Sequence, residues 1–335
     1  MIDAPTNSPP LLEIRDLTVE FRMERTWQPV VEDLNLAVYP GETLGLVGES
    51  GCGKSTLAFS VMRLHTPAGG ARTKGRIFYR GRDLLALDER SMRGIRGADI
   101  AMIPQDPFAS LNPLFTIGNQ IREVLRCHGR IGRTHVRQAA LHSLERVRLD
   151  RPEQRLQQYP HELSGGMRQR AVGAIAVACG PRLLIADEPT TALDVTVQAE
   201  YLEMLEALQQ ESELSMLFIS HDLGVIARMC DRVAVMYAGR IVESGRIEDV
   251  FHRPAHWYTR ALLESTPSLD RREDSLSAIT GSPPRPGSID KGCRFAPRCA
   301  AVREECRLTE PRTESTDGSH EVRCWYPSHE PARHD

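Results

Sequence analysis

Apolar and polar residues alternate from Leu11 to Phe21 and again from Val30 to Val38, the period of strands with one buried face. A third, short strand over Thr43–Val47 runs straight into GESGCGKST, after which Leu57, Ala58, Val61, Met62 and Leu64 return at helical spacing. The glycine-bounded GRIFYRGRDL predicts a hairpin, and DIAMIPQDP a strand that ends at a proline-containing loop. From about residue 106 to 163 the period changes: Ile121, Val124 and Leu125, then Val136, Ala140, Leu144 and Val147, recur at three- and four-residue intervals, which predicts a helical insertion. Leu163-Ser164-Gly165-Gly166 then opens a further helical run through Met167, Val172, Ile175 and Ala176. The short apolar runs Leu183–Ala186 and Met216–Ile219 have the pattern of buried parallel strands. Strands alternating with helices predict an α/β fold around a mainly parallel sheet covered on both faces. After the helix-like HWYTRALLEST, residues 266–290 hold Pro, Ser, Gly and mixed charges without an apolar period and read as a linker. The remaining segment, 291–335, carries Cys293, Cys299, Cys306 and Cys324.

Composition narrows the function classes. The chain has 335 residues, 41% of them hydrophobic and 26% charged, the balance of a globular protein rather than a collagen or a disordered tail. Its formal net charge of −3 gives no general attraction to phosphate backbones, so no nucleic acid is expected as a partner. The longest nearly uncharged apolar stretch, Ala171–Gly180, is far below the ~20 residues that cross a bilayer, so any membrane association goes through a partner. The N-terminal MIDAPTNSPPLLEIRD lacks the basic-then-apolar order of a secretory signal, which predicts a cytosolic chain. In that compartment the eight cysteines are expected as free thiols or metal ligands rather than disulfides.

Three short stretches carry candidate chemistry. Gly48-Glu49-Ser50-Gly51-Cys52-Gly53-Lys54-Ser55 fits G-x-x-x-x-G-K-[ST], flanked by the strand and helix that this motif requires. Glycines let the backbone curl until successive amides and the helix N-terminus face an anion. Lys54, one of only three lysines, would reach the β- and γ-phosphates of a nucleotide, and Ser55 would place its hydroxyl on Mg²⁺. Asp187 and Glu188 follow the buried-type strand LLIA: a carboxylate there can support Mg²⁺ and its neighbour can polarise a water. From the residues alone, His221 at the end of Ile219-Ser220-His221 is a candidate γ-phosphate contact or a structural histidine. Gln105 is a candidate bridge between metal and water or an ordinary loop residue.

Taken in order, GESGCGKS, Gln105, LSGGM at 163–167, LLIADEP, the loop Thr191-Ala192-Leu193-Asp194 and His221 resemble ATP-binding cassette ATPases over residues 11 to about 265. The resemblance implies a P-loop NTPase of this type over 1–265, with a helical subdomain at about 106–163, followed by the 266–290 linker and the cysteine-rich 291–335 segment. It also implies a head-to-tail dimer in which Ser164, Gly165 and Gly166 bind the γ-phosphate held by the other subunit's P-loop. By the same resemblance Glu188 is the general base, Asp187 supports Mg²⁺, Gln105 couples the metal site to a membrane partner and His221 positions the γ-phosphate. Gly48, Ser50, Gly51, Cys52, Gly53, Lys54, Ser55 and Thr56 line the nucleotide, and Phe21 falls where an aromatic stacks on adenine. No sustained heptads separate Lys54 from Ser164, which disfavours the coiled-coil DNA-repair and chromosome-structural branch.

DPFASLNPLFTIGNQI, YPHELSGGMRQR, HWYTRALL and the GCRFAPRC tail are similar to the ATPase subunits of oligopeptide/dipeptide-type importers, a group that includes nickel importers. His256-Trp257 departs from that pattern, where a proline is expected before the tyrosine. The implied partners are a second, similar ATPase chain, two membrane permeases and, indirectly, an extracytoplasmic substrate-binding protein. The implied location is peripheral, on the cytoplasmic face of the inner membrane. The implied function is hydrolysis of ATP to energise import of di- or oligopeptides, with nickel or another small solute, or a redox-regulated ATPase outside a transporter, as alternatives.

The tail cysteines are separated by five, six and seventeen residues, without paired C-x-x-C knuckles. On spacing alone an iron–sulfur cluster, zinc and free thiols stand level. The resemblance to importer subunits with a cysteine-bearing C-terminal segment implies a 4Fe–4S cluster on Cys293, Cys299, Cys306 and Cys324.

Overall fold

A computed structural model describes residues 8–23, 26–65, 69–128, 132, 134–191, 193–265, 279–288, 291–316 and 319–328. In chain order the first elements are β1 (Leu12–Met23), β2 (Thr26–Val38), β3 (Thr43–Val47), α1 (Lys54–Val61), β4 (Ala71–Tyr79) and β5 (Arg82–Asp83). Then come α2 (Glu89–Ile95), β6 (Ile100–Ile103), α3 (Pro107–Ser110), α4 (Ile117–His128), α5 (Val136–Arg146), α6 (Pro152–Arg155) and α7 (Gly165–Val177). They are followed by β7 (Leu183–Asp187), α8 (Val195–Ser212), β8 (Ser215–Ser220), α9 (Leu223–Met229), β9 (Arg232–Tyr237) and β10 (Arg240–Arg246). The last are α10 (Ile247–His252), α11 (Trp257–Glu264), α12 (Glu304–Leu308), β11 (Glu314–Ser315) and β12 (Glu321–Val322).

These elements form two compact units. One comprises Met1–Leu11, Val38–Glu42 and Ala86–Ile219, the other Leu12–Ala37, Thr43–Leu85 and Ser220–Asp335. In the first unit β6, β7 and β8 run parallel, Ile100 opposite Leu183 and Leu183 opposite Ser215. Every residue of β7 and β8 is buried, as the continuous apolar runs require of strands covered on both faces. In the insertion, α4 turns Ile117, Ile121 and Leu125 inward, and α5 turns Val136, Ala140 and Leu144 inward. Side-chain caps set the helix starts: Ser164 accepts from the Met167 amide ahead of α7, and Asp194 from the Val197 amide ahead of α8.

The second unit carries β3 parallel to β9, then β10 and β12 antiparallel, with β11 beyond them. The parallel expectation therefore holds for the strands around the glycine loop and fails past β9, where the chain turns back on itself. That hairpin turns at Ala238 and Gly239, both at positive φ, without the Asn or Asp that usually marks such a turn. A separate antiparallel sheet, in the order β2-β1-β4-β5, includes the hairpin expected from GRIFYRGRDL. Its turn at Arg80-Gly81 has φ of 50° and 75°, the sign a two-residue type I′ turn needs. The departure at His256 has a local explanation. His256 is fully buried, and its Nδ1 accepts the Tyr258 amide at 3.0 Å, so the imidazole caps α11.

Residues 266–278 and 289–290 of the expected linker lie outside the described residues. Tail residues Phe295, Cys306 and Val322 are buried in the same unit as the glycine loop. Phe295 packs on Tyr237 and Tyr258, with ring centroids 5.3 and 5.4 Å apart. Among the described residues no helix is long and apolar enough to cross a membrane.

Candidate nucleotide site and cysteine cavity

The glycine loop leaves the buried end of β3 and closes into α1. Two of its glycines are fixed by space. A Cβ on Gly48 would lie 2.1 Å from the Met236 carbonyl oxygen, and one on Gly53, at φ 111°, 2.8 Å from Met236 Cε and 3.1 Å from the Val30 carbonyl. Gly51 is different: its φ is 80°, but its surroundings are open. Lys54 is 5% exposed and folds its Nζ back onto the loop, donating to the Gly48 carbonyl at 2.7 Å and the Glu49 carbonyl at 3.1 Å. The curled backbone thus presents an anion cradle with the ammonium held inside it. Ser50 is exposed, Ser55 and Thr56 are half-buried, and Cys52 is buried, which pushes its thiol pKa up. Phe21, half-buried near the end of β1, meets His65 edge-on at 5.1 Å, and His65 Nε2 lies 3.1 Å from the Thr56 carbonyl.

In the other unit, Asp187 ends β7 with 2% exposure. Glu188 follows at φ 46°, a left-handed conformation rare for a side-chain-bearing residue outside functional turns. Its amide donates to the Ile219 carbonyl at 2.9 Å. One carboxylate oxygen, Oε2, accepts from Gln105 Nε2 at 3.0 Å and from Thr191 Oγ1 at 3.1 Å. The structure therefore brings Gln105, Glu188 and Thr191 together. Such a carboxylate, oriented by an amide and a hydroxyl, is equipped to take a proton from a water. Ser164 and Gly165 are exposed at the start of α7, and a Cβ on Gly166 would meet Val197 Cγ1 at 2.6 Å. Open amides at the N-terminus of a 13-residue helix form a surface suited to an anion. His221 is exposed just after β8. Ala192 lies outside the described residues.

Sequence reasoning missed two neighbours of the loop. The Tyr258 hydroxyl accepts the Glu49 amide at 2.9 Å, and Arg298 of the tail makes a two-pronged ion pair with the Glu49 carboxylate, at 2.7 and 3.0 Å. Both lie in stretches that the sequence singles out, HWYTRALL and GCRFAPRC, but nothing there points to the loop, from which they stand more than 200 residues away.

The four tail cysteines line one small cavity with His256, Trp257, Phe295, Trp325 and Tyr326. Burial, before any mutual influence of the thiols, pushes Cys293 up to about 11 and Cys324 up to about 12. Among the described residues no group of three or more His, Cys, Asp or Glu is placed to hold a metal ion. A second feature of the cavity is the His256 ring. Burial lowers its pKa to about 4 and Nδ1 is occupied as an acceptor, which puts the proton on Nε2. That buried Nε2 has no hydrogen-bond partner among the described residues.

A glycine loop closing on a buried lysine is a phosphate-binding class of feature, and a carboxylate oriented after a buried strand is a general-base class of feature. Comparisons place them more narrowly. Residues 31–191 match the ABC transporter family, and residues 242–306 match the C-terminal region of oligopeptide/dipeptide transporters. A relative in Brucella melitensis, named as a peptide import ATP-binding protein, is 48% identical over 94% of this chain and 96% of its own. A peptide ABC transporter ATP-binding protein of Sinorhizobium fredii is 48% identical over 94% of each chain. The fold is similar to that of a dimeric bacterial ABC transporter cassette (TM-score 0.63, 26% identity), covering 70% of this chain and 98% of the other; the same values hold for a post-hydrolysis dimer bound to ADP and phosphate. The chain belongs to the ABC transporter family of ATP-binding proteins, and within it to the group with the oligopeptide/dipeptide C-terminal region.

Proposed function

We propose that this chain is the ATP-hydrolysing subunit that energises import of di- and oligopeptides through a membrane ABC transporter. The observation that carries this reading is the oriented Glu188 carboxylate, in a chain that also holds a preformed P-loop. Lys54 leaves the Gly48 and Glu49 carbonyls to meet the β- and γ-phosphates, and the amides of Gly48, Ser50, Gly51, Cys52, Gly53, Ser55 and Thr56 surround them. Phe21 stacks on the adenine. Ser55, Asp187 and Gln105 would hold Mg²⁺, and the buried Asp187 carboxylate at a strand end supplies hard oxygen donors suited to that ion. Mg²⁺ when bound neutralises charge on the β- and γ-oxygens. Glu188 takes a proton from the attacking water while Gln105 and Thr191 hold its other oxygen in place, and His221 contacts the γ-phosphate.

Ser164, Gly165 and Gly166 close over the γ-phosphate of a partner ATPase, so that ATP joins the two chains and hydrolysis releases them. The partners are a second, similar ATPase, two permeases and, through them, an extracytoplasmic binding protein. The chain then works as a peripheral subunit at the cytoplasmic face of the inner membrane. In the tail, Cys293, Cys299, Cys306 and Cys324 would hold a 4Fe–4S cluster. What supports that reading is that the four cysteines line one cavity, with the unpartnered His256 Nε2 belonging to the same lining. When bound, the cluster supplies a covalent staple to a small segment.

The Glu188→Gln variant tests the catalytic reading. It is expected to lower ATP turnover at least 100-fold while ATP affinity stays within about threefold of the parent, because only the proton acceptor is lost. Undiminished hydrolysis would remove Glu188 from the role of base.

A further inference from the structure

The P-loop contains an acid at a site built for an anion. Glu49 follows Gly48 directly, and its carboxylate is a quarter exposed. Unpaired, that charge would repel the phosphates the loop exists to hold. It is not unpaired: Arg298 Nη1 donates to Glu49 Oε2 at 2.7 Å and Nη2 to Oε1 at 3.0 Å, the fork geometry that fixes a carboxylate in direction as well as charge. The arginine is itself immobilised. Its side chain is 5% exposed, and its remaining donors go to the Thr280 carbonyl at 3.0 Å, the Ile279 carbonyl at 3.3 Å and the Tyr237 hydroxyl at 3.3 Å. Glu49 is thereby held at three points. Its carboxylate is held by Arg298, its amide by the Tyr258 hydroxyl, and its carbonyl accepts Lys54 Nζ.

We infer that Arg298 is a positioning residue for nucleotide binding: the C-terminal segment supplies the cation that neutralises the P-loop's own acid and fixes the loop backbone beside Lys54. This deepens the ATPase reading and rests on it. It also gives the tail a mechanical role that the ATPase motifs do not include. Arg298 immediately precedes Cys299, on the short helical turn Ala296–Arg298, so whatever orders the cysteine cavity also orders the P-loop's counter-ion.

The test is calorimetric titration of the purified full chain with Mg²⁺ and the non-hydrolysable analogue AMP-PNP. Arg298→Gln is expected to weaken binding about tenfold, equivalent to about 1.4 kcal/mol. The double variant Glu49→Gln/Arg298→Gln, which removes the acid together with its counter-ion, is expected to recover affinity to within about threefold of the parent. Recovery separates charge compensation from simple loss of tail packing, since removing Glu49's charge cannot repair a misfolded tail. Unchanged affinity in Arg298→Gln, or a double variant as weak as the single, would overturn the inference and leave the ATPase reading standing. A parent chain that fails to bind AMP-PNP at all would overturn both.

Discussion

At the scale of single residues, space and charge around the P-loop decide what each position tolerates. Gly48 and Gly51 belong to one motif, but the structure separates their reasons. A methyl group on Gly48 would enter the Met236 carbonyl at 2.1 Å, a backbone atom that cannot move aside cheaply, whereas Gly51 faces open space and bears only its left-handed φ of 80°. Gly48→Ala is therefore expected to lower the unfolding free energy by about 1–3 kcal/mol, and Gly51→Ala by about 1 kcal/mol, as read from denaturant melts. Equal losses would mean that the Gly48 contact relaxes freely. The motif residues themselves were legible because their chemistry is local: Gly48 to Ser55 lie side by side in the chain. The part that Arg298 and Tyr258 play there was not, although GCRFAPRC and HWYTRALL stand out in the sequence, because a side chain that arrives from more than 200 residues away leaves no trace at the site it serves.

Among the elements, those with a strong apolar period were predicted well. β3, β7 and β8 are buried along their whole length, and α4 and α5 bury Ile121, Leu125, Val136, Ala140 and Leu144 of the residues that the three- and four-residue spacing picked out, while Val124 is half-buried. The β9–β10 hairpin was overlooked, since Ala238-Gly239 lacks the usual turn residues and only the fold forces Ala238 to φ 46°. Little of the tail, β11, β12 and α12 together, is periodic in the sequence. Its burial comes from Phe295 against Tyr237 and Tyr258 and from the cavity shared by the four cysteines. The chain purified anaerobically is expected to contain about four iron and four acid-labile sulfide per molecule. Cys324→Ser is expected to lose most of both and to lower the melting temperature. Iron and sulfide absent from the anaerobically purified parent would contradict the cluster and leave the tail held by packing alone.

For the whole molecule, the family follows from sequence order and from 48% identity to relatives along nearly their full length. Under the proposed function the surfaces offered to partners are Ser164 and Gly165, exposed at the start of α7, and Phe108, Leu114 and Phe115, exposed after Gln105. An exposed helix N-terminus and exposed apolar side chains are what that proposal requires of a subunit that works with others. The measurement that tests this most directly is purification of the tagged chain from its own membranes in mild detergent, with the co-purifying proteins identified by mass spectrometry. The account predicts two permeases and a second ATPase in stoichiometric amounts. Recovery of only soluble or DNA-bound partners would contradict it and leave the ATPase chemistry without a transporter.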